Sequence, residues 1–300
     1  MGKRTSVVLS LEEAVSSISD GAVIGIGGFI TTNKPMALIR ALARARKKNL
    51  NLVAGPASLD VEFLIALGAV EQLKSPYVGA EAIAPILPFH SKKAGKDFKI
   101  EEIDVGTLVL MLKADIFNLP FIPVRGPVGT SLPDLNSSFR WVEDPFGGPK
   151  LVAAPPIHLD LTLLHAAQAD KYGNVQHLGA VYFDPILAQA SDKVIVQVER
   201  LVSNEEIRKS PSETTIPCEF VDGIVVAPYG AHPCASQNYY SRDAEFIKKY
   251  AEAGKSFFKG DAHLFENYLE NYILGPSDHF EYLERVGVKR ILSLGLEEGV

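Results

Sequence analysis

Short apolar runs of strand length alternate with helical segments along this chain. Residues 22–26 and 50–54 are two such runs, and the apolar residues between them recur at helical spacing from about Lys34. Further strand candidates occupy residues 159–165, 194–198, 224–227 and 290–294. Short buried strands joined by helices are typical of a parallel sheet with both faces covered. The order predicts an α/β fold with an open, largely parallel sheet covered by helices. We expect a single domain over residues 1–300 with a helical C-terminal part.

Capping and turn signals locate the first elements. Ser10 and Glu13 form a capping-box pattern that opens a short helix. Asn33 is predicted to cap the next helix, on which Arg40 is expected to point outward. The basic residues that follow are interpreted as a solvated helix end: Arg44, Arg46, Lys47 and Lys48. The proline- and glycine-rich residues 145–156 form either a linker or a surface excursion within one domain.

Composition argues against several classes of protein. The formal net charge of −6 is unfavourable for nucleic acid as a main partner. No apolar run is long enough to span a bilayer, so we expect no membrane insertion, and no secretory signal pattern is present. The opening Met1-Gly2 satisfies only the loose myristoylation pattern. The two cysteines, Cys218 and Cys234, cannot form a disulfide framework. They suit a reducing compartment, so we expect a cytoplasmic protein.

A glycine-rich turn is the sharpest local motif. GIGGF at residues 25–29 stands where a strand is predicted to end, and open α/β sheets bind ligands at the carboxyl ends of their strands. Glycines let backbone amides approach a ligand closely. Ile30 stands where a dinucleotide fingerprint needs glycine, so that fingerprint is absent. Lys34, just inside the next helix, favours an anionic ligand, although a tight strand-to-helix turn is the simpler explanation of the glycines.

The histidines and cysteines do not match a metal-binding pattern. The candidates are His158, His165, His177, His232, Cys218 and Cys234. Their spacing fits no zinc module, so we expect no metal site. His165, at the end of an apolar strand, is interpreted as a hydrogen-bonded core histidine. A Cys234 nucleophile with His232 as its base has little support, because side chains two residues apart on an extended chain need not converge.

Carboxylates cluster ahead of an apolar helix. Glu101, Glu102 and Asp104 are first interpreted as acids that complement the N-terminal end of the helix dipole, and a general base among them stays open. Glu81 lies beside Gly79 on another loop that is predicted to follow a strand, and it is a second candidate. From the residues alone, the chain is an α/β enzyme for a small anionic ligand.

Four segments share their order and spacing with a known family across nearly the whole chain. They are IGGF and NKP within 26–35, NLPFIPV at 118–124, LLHAAQAD and GN within 163–174, and VDGIVVAPYGAHP at 221–233. SNEEIR at 203–208 and EYL at 281–283 agree with the same pattern. Together they resemble the A subunits of class I CoA-transferases, in particular the glutaconate CoA-transferases.

The resemblance implies a CoA-transferase-like α/β fold and a chain that works only with a B subunit, in an A2B2 complex. The substrates would be an acyl-CoA and a free carboxylic or dicarboxylic acid. No cofactor would be bound permanently, because the coenzyme A thioester is itself a substrate. In such enzymes the nucleophilic glutamate lies on the B subunit, in an E-x-G pattern. This chain has Glu298-Gly299 only near its C-terminus, without an apolar strand, so we expect no nucleophile here.

The same resemblance assigns a pocket to this chain. The glycine-rich turn and the loop at residues 79–81 would form part of the site for the acyl group. The expected substrate-binding residues are Gly27, Gly28, Phe29, Lys34, Gly79 and Glu81.

A second resemblance stays open as an alternative. The A subunits of ring-opening hydrolases of steroid degradation share the Gly-Gly-aromatic pattern and the KPMAL found here at residues 34–38. They resemble CoA-transferases but open a carbocyclic ring of a CoA thioester with a glutamate of their own. Glu102 is the alternative base on this interpretation, although Val105 replaces an expected acidic residue. A remote third interpretation, a sugar-phosphate sensor, would need a DNA-binding segment, and none is evident.

Overall fold

The computed structural model describes residues 5–93 and 97–295, and within them the strands form two sheets. In chain order the strands are β1 (Val8–Leu9), β2 (Val23–Ile26), β3 (Leu50–Ala54), β4 (Val70–Lys74), β5 (Lys99–Glu101), β6 (Ile122–Val124), β7 (Arg140–Val142), β8 (Leu151–Ala154), β9 (Leu161–Asp170), β10 (Val175–Gln176), β11 (Val194–Val202) and β12 (Gly223–Val226). Met1-Gly2 of the myristoylation pattern and Glu298-Gly299 lie outside the described residues.

The larger sheet has the order β1-β12-β11-β9-β2-β3-β4-β5, and each neighbouring pair along it is parallel. Only β10, which pairs with β9, is antiparallel in this sheet. All ten residues of β9 are buried, as expected for a strand whose two faces are both covered. The prediction of an open, largely parallel sheet is confirmed.

Helices connect these strands and build the C-terminal part. They are α1 (Leu11–Ser16), α2 (Met36–Arg44), α3 (Leu59–Ala66), α4 (Pro88–Lys93), α5 (Val105–Ile116), α6 (Leu132–Leu135), α7 (Asp184–Gln189), α8 (Asn204–Lys209), α9 (Ala244–Phe257), α10 (His263–Leu269), α11 (His279–Val286) and α12 (Val288–Ser293). After β12, the last strand of the described residues, the chain continues through α9 to α12. No helix among the described residues is both long enough and apolar enough to cross a membrane.

The start of α1 follows its local sequence. The Ser10 hydroxyl accepts a hydrogen bond from the Glu13 amide at 3.1 Å, and the Glu13 carboxylate accepts one from the Ser10 amide at 2.8 Å. The predicted capping box is therefore present, and it satisfies two backbone donors that the helix itself leaves free.

Two expectations about α2 are wrong. Asn33 does not cap the helix, because its φ is 52° and its amide oxygen accepts from the Gln237 amide at 3.0 Å. Arg40 does not point outward but is buried. Its Nη1 donates to the His232 carbonyl at 2.8 Å, and its guanidinium lies 3.6 Å from the centre of the Tyr282 ring. Both residues connect α2 to the C-terminal part of the chain.

The strand predicted at residues 290–294 is also wrong, because this stretch belongs mainly to α12. Ile291 is buried while its neighbour Leu292 is exposed, so the segment packs only one side against the protein. A five-residue apolar run cannot be assigned to strand or helix by periodicity alone.

A small antiparallel sheet of β6, β8 and β7 stands between α5 and β9. The proline- and glycine-rich residues 145–156 contain β8, so they form part of an excursion rather than a bare linker. We call residues 117–154 the three-strand excursion. Seven of its large apolar side chains are exposed: Phe117, Leu119, Phe121, Val128, Leu135, Trp141 and Phe146.

Candidate functional site

Three neighbouring loops meet at the carboxyl ends of β2, β3 and β4. We call them together the loop rim, which comprises residues 27–34, 55–58 and 75–81. The Ile30 amide donates to the Pro56 carbonyl at 2.7 Å, and the Ala57 amide donates to the Tyr77 carbonyl at 2.8 Å. The loops therefore form one hydrogen-bonded unit at the edge where open α/β sheets bind their ligands.

Asp184, the first residue of α7, packs against the glycine turn and binds its backbone. Its Oδ1 accepts from the Gly28 amide at 2.8 Å, and its Oδ2 lies 3.1 Å from His177 Nε2. A Cβ on Gly27 would lie 2.6 Å from this carboxylate, and a Cβ on Gly28 would lie 2.3 Å from the Asn33 carbonyl oxygen. Gly28 also has a φ of +75°. Glycine is therefore required at both positions by space, and at Gly28 also by backbone conformation.

The amides of this turn are already engaged within the chain. Besides the Gly28 amide, the Gly27 amide donates to the Leu163 carbonyl at 3.0 Å, and the Phe29 amide donates to the Thr32 carbonyl at 2.9 Å. The expectation that these glycine amides reach a ligand is therefore wrong for this conformation. The turn contributes a defined shape instead.

Phe29 and Tyr182 provide an aromatic surface beside the turn. Their rings stack with centroids 5.2 Å apart, and both side chains are half-buried. Burial, together with the nearby Asp184 carboxylate, raises the pKa of Tyr182 despite its hydrogen bond with Thr32, so the phenol stays neutral. The pair offers an apolar wall to a neighbouring ligand.

The loop at 79–81 carries one member of a charged pair next to the glycine turn. A Cβ on Gly79 would lie 2.3 Å from the Tyr77 hydroxyl, so this loop is also closely packed. Glu81 forms an ion pair with Arg242, and the same Nη1 of Arg242 donates to the Thr31 hydroxyl at 3.0 Å. Sequence reasoning missed Arg242, because nothing local distinguishes it from other surface arginines.

Lys34 does not face a ligand. Its side chain and that of Asp60 are both fully buried, and Lys34 Nζ lies 2.8 Å from Asp60 Oδ2. Asp60 Oδ1 accepts from the Ser58 amide at 2.6 Å. The prediction that Lys34 offers a charge to the substrate is therefore corrected: its ammonium is used to join the start of α2 to the start of α3.

The histidine at position 165 has its predicted structural role. It is buried, with Nε2 2.9 Å from Ser236 Oγ and Nδ1 2.7 Å from Gln197 Nε2. The core interpretation is confirmed, although β9 continues past His165 to Asp170. Within residues 5–93 and 97–295, no group of three or more histidine, cysteine or acidic side chains is placed to hold a metal ion.

Cys234 and His232 do not form a catalytic pair. Cys234 is buried, and burial raises the pKa of its thiol. The His232 imidazole instead has Nε2 3.1 Å from Asp243 Oδ2 and Nδ1 2.5 Å from the Tyr282 hydroxyl. These contacts connect α9 and α11 to the segment after β12, which is a structural role.

The carboxylates near the end of β5 have different environments. Glu101 is buried; burial alone would raise its pKa, but its contacts with Lys74 and other groups lower it. Asp104 accepts from the Thr107 amide at 2.9 Å as the N-cap of α5, which confirms the helix-terminal interpretation for Asp104 but not for Glu101, which belongs to β5. Glu102 is exposed. It follows the edge strand of the sheet, three inter-strand spacings or roughly 14 Å from β2.

Three carboxylates lie in or next to the loop rim, and each has a partner within the chain. Asp60 and Asp184 are buried against Lys34 and His177, and Glu81 is ion-paired with Arg242. A carboxylate needs a free, accessible oxygen to attack a carbonyl carbon. Asp60 and Asp184 do not meet this requirement and serve the architecture, whereas Glu81 is half-exposed and holds Arg242 through one of its oxygens.

Comparison with known proteins agrees with this geometry. The family model described as "Coenzyme A transferase" matches residues 8–227. This chain belongs to the coenzyme A transferase family. It is 30% identical to the A subunit of glutaconate CoA-transferase from Acidaminococcus fermentans, over 98% of this chain and 96% of the relative. It is also 31% identical to the cholesterol ring-cleaving hydrolase IpdA subunit of Rhodococcus jostii, over 91% of this chain and 94% of the relative.

The fold of this family member matches a solved relative over nearly its full length. Against the crystal structure of glutaconate coenzyme A-transferase from Acidaminococcus fermentans, the TM-score is 0.92 at 29% identity, with 98% of this chain and 97% of that chain covered. The resemblance found in the ordered sequence segments is confirmed, together with the CoA-transferase-like α/β fold.

Proposed function

We propose that this chain is the A subunit of a heteromeric CoA-transferase, which moves CoA between an acyl-CoA and a free carboxylic or dicarboxylic acid. The observation that supports this division of labour is that Asp60 and Asp184, the two carboxylates next to the rim, are buried and paired within the chain, while Glu81 is used to hold Arg242. As the family resemblance implies, we assign the nucleophilic glutamate to the B subunit. An A2B2 assembly and a cytoplasmic location remain predictions from the sequence.

The proposed reaction divides one exchange into covalent steps. A glutamate of the B subunit uses its carboxylate to attack the thioester carbonyl. The C–S bond breaks, CoA departs as its thiolate, and an acyl–glutamyl anhydride forms. The thiolate then attacks the glutamyl carbonyl, which releases the first acid as a carboxylate and leaves a glutamyl-CoA thioester. The second acid reverses these two steps, so atoms and electrons balance without a further reactant.

In this scheme the chain shapes the acyl pocket. Gly27 and Gly28 give the turn its compact path, Phe29 and Tyr182 supply an apolar wall, and Gly79 allows the neighbouring loop to pack closely. A dry pocket protects a reactive anhydride from hydrolysis, which would waste the activated acyl group. The contribution of these residues is position and exclusion of water.

The ring-opening hydrolase is the second candidate, and Glu102 is the residue that favours it. Its side chain is exposed at the carboxyl end of β5, and the chain has nearly equal identity to the hydrolase relative and to the transferase relative. The position of Glu102 argues against the hydrolase, however, because it follows the edge strand and lies away from the glycine turn.

An exchange assay tests the proposal. The chain is produced together with its B subunit, and the complex receives an acyl-CoA and a second, isotope-labelled acid. We expect labelled acyl-CoA to form while total thioester is conserved, and the chain alone to produce none. Opening of a ring, or loss of thioester without a labelled product, would contradict the proposal; abolition of ring opening by Glu102→Gln would establish the hydrolase.

We propose that the B subunit docks on the three-strand excursion. Trp141 is 51% exposed and Phe146 is 95% exposed. Aromatic side chains that become buried when two proteins bind dominate the binding energy of protein interfaces. Replacing both with serine is expected to weaken the A–B complex roughly 30-fold or more, because each truncation removes a large apolar contact. Titration with the tagged B subunit measures the dissociation constant.

Phe280→Ser is the matched control for this surface. Phe280 is 61% exposed but lies on α11, outside the excursion. Its replacement is expected to leave the A–B dissociation constant unchanged. Unchanged affinity in the Trp141 and Phe146 variant would show that the B subunit docks elsewhere.

A further inference from the structure

Arg242 is a half-exposed cation at the loop rim. It lies just before α9 in sequence, and its side chain is 40% exposed. Its Nη1 reaches the Thr31 hydroxyl in the first loop of the rim and the Glu81 carboxylate in the third. The guanidinium therefore bridges the two loops that follow β2 and β4, on the side of the sheet where ligands bind.

The guanidinium keeps donors for a ligand. Both contacts with the protein use Nη1, and among the described residues Nε and Nη2 donate to no protein group. An arginine side chain has five N–H donors in a planar fork that matches the two oxygens of a carboxylate. Arg242 is thus held through Nη1, while its Nε–Nη2 edge meets no acceptor within residues 5–93 and 97–295 and can bind a planar anion.

The surroundings define which part of a substrate would reach this fork. Phe29 and Tyr182 form an apolar wall beside the same loop that carries Thr31. Lys34, which belongs to that loop itself, is buried and neutralised by Asp60. An apolar wall beside a loop that also binds a half-exposed arginine fits an acyl chain with a second carboxylate at its far end.

We infer that Arg242 binds the distal carboxylate of a dicarboxylic acyl group, and that Glu81 positions the guanidinium for this contact. The inference rests on the proposed CoA-transferase function. It makes Arg242 the residue that selects dicarboxylic over monocarboxylic acids. If Arg242 bound a phosphate of CoA instead, the contact would be the same for every acyl group and would not select between acids.

The test compares two acids of equal chain length, glutarate and pentanoate, in the A–B complex. With Arg242→Ala the KM for glutarate is expected to rise roughly 10- to 100-fold, because a hydrogen-bonded charge pair is lost. The KM for pentanoate is expected to stay within about twofold, because that acid has no distal charge to lose. Arg242→Lys keeps the charge but loses the fork, so its KM for glutarate should lie between the values of the wild type and of Arg242→Ala.

Arg200→Ala is the matched control. Arg200 is 55% exposed and pairs with Glu206, which is 45% exposed, much as Arg242 pairs with Glu81. Its replacement should change neither KM. An equal rise for glutarate and pentanoate in Arg242→Ala would overturn the inference, since it would indicate a loop-supporting or CoA-binding role. A wild-type complex that prefers pentanoate would also overturn it.

Calorimetric binding of each free acid to the complex separates this inference from the proposed function, because binding needs no turnover. Tighter binding of glutarate than of pentanoate, lost in Arg242→Ala, supports the role of Arg242 even if no CoA exchange occurs. Exchange activity without such selectivity would retain the transferase and reject the role of Arg242.

Discussion

Replacing Asp60 with alanine is expected to destabilise the chain by about 3–5 kcal/mol, because it leaves the Lys34 ammonium buried without its partner. Both side chains are fully buried, so water cannot replace the lost carboxylate. For a chain of this size the loss corresponds to a fall in melting temperature on the order of 10 °C. Thermal unfolding of the A–B complex measures it.

The control for Asp60→Ala removes both charges at once. A Lys34→Met, Asp60→Leu double variant is expected to recover most of the lost stability, since a buried ion pair can often be replaced by apolar side chains of similar size. If Asp60→Ala melts at the same temperature as the wild type, the pair is not buried and Lys34 is exposed to solvent.

Replacing Gly28 with alanine is expected to lower kcat/KM about 100-fold, because the turn must move to accept a side chain. The new Cβ would lie 2.3 Å from the Asn33 carbonyl oxygen, and the backbone has a φ of +75°. Displacement of a substrate-positioning group by about 1 Å is enough for a loss of this size. Steady-state kinetics of the exchange reaction measures the effect.

Gly21→Ala separates backbone strain from the position of the turn. Gly21 has nearly the same φ, +79°, but a Cβ there meets nothing within 4 Å. It lies before β2, at the opposite end of the strand from the loop rim. Its activity should equal that of the wild type. Equal kinetic losses in the Gly21 and Gly28 variants would show that the path of the glycine turn does not matter for catalysis.

The sequence was most informative where structure depends on nearby residues. The capping box of Ser10 and Glu13 joins groups three positions apart, and β3 occupies the predicted residues 50–54. The alternation of such strands with helices was enough to predict the parallel sheet. The strand predicted at 290–294 failed because its identity depends on packing against the rest of the protein, which a short apolar run does not reveal.

The site was less predictable because its contacts are distant along the chain. Gly28 and Asp184 are 156 positions apart, and Arg242 is 211 positions from Thr31. Lys34 stands in a position that favours anion binding, yet Asp60 neutralises it within the core. The glycine turn itself was identified from its residues, whereas Asp184, which binds the turn, and Arg242, which places a charge at the loop rim, could be identified only from the fold.

The central claim is that this chain shapes the acyl pocket while the B subunit carries the nucleophile. Intact-protein mass spectrometry tests it most directly, after the A–B complex is incubated with an acyl-CoA and treated with borohydride or left untreated. We predict that only the B subunit gains the mass of CoA, and that borohydride removes this adduct by reducing the glutamyl thioester. A CoA adduct on this chain, or a complex that exchanges CoA with no adduct on either protein, would contradict the account.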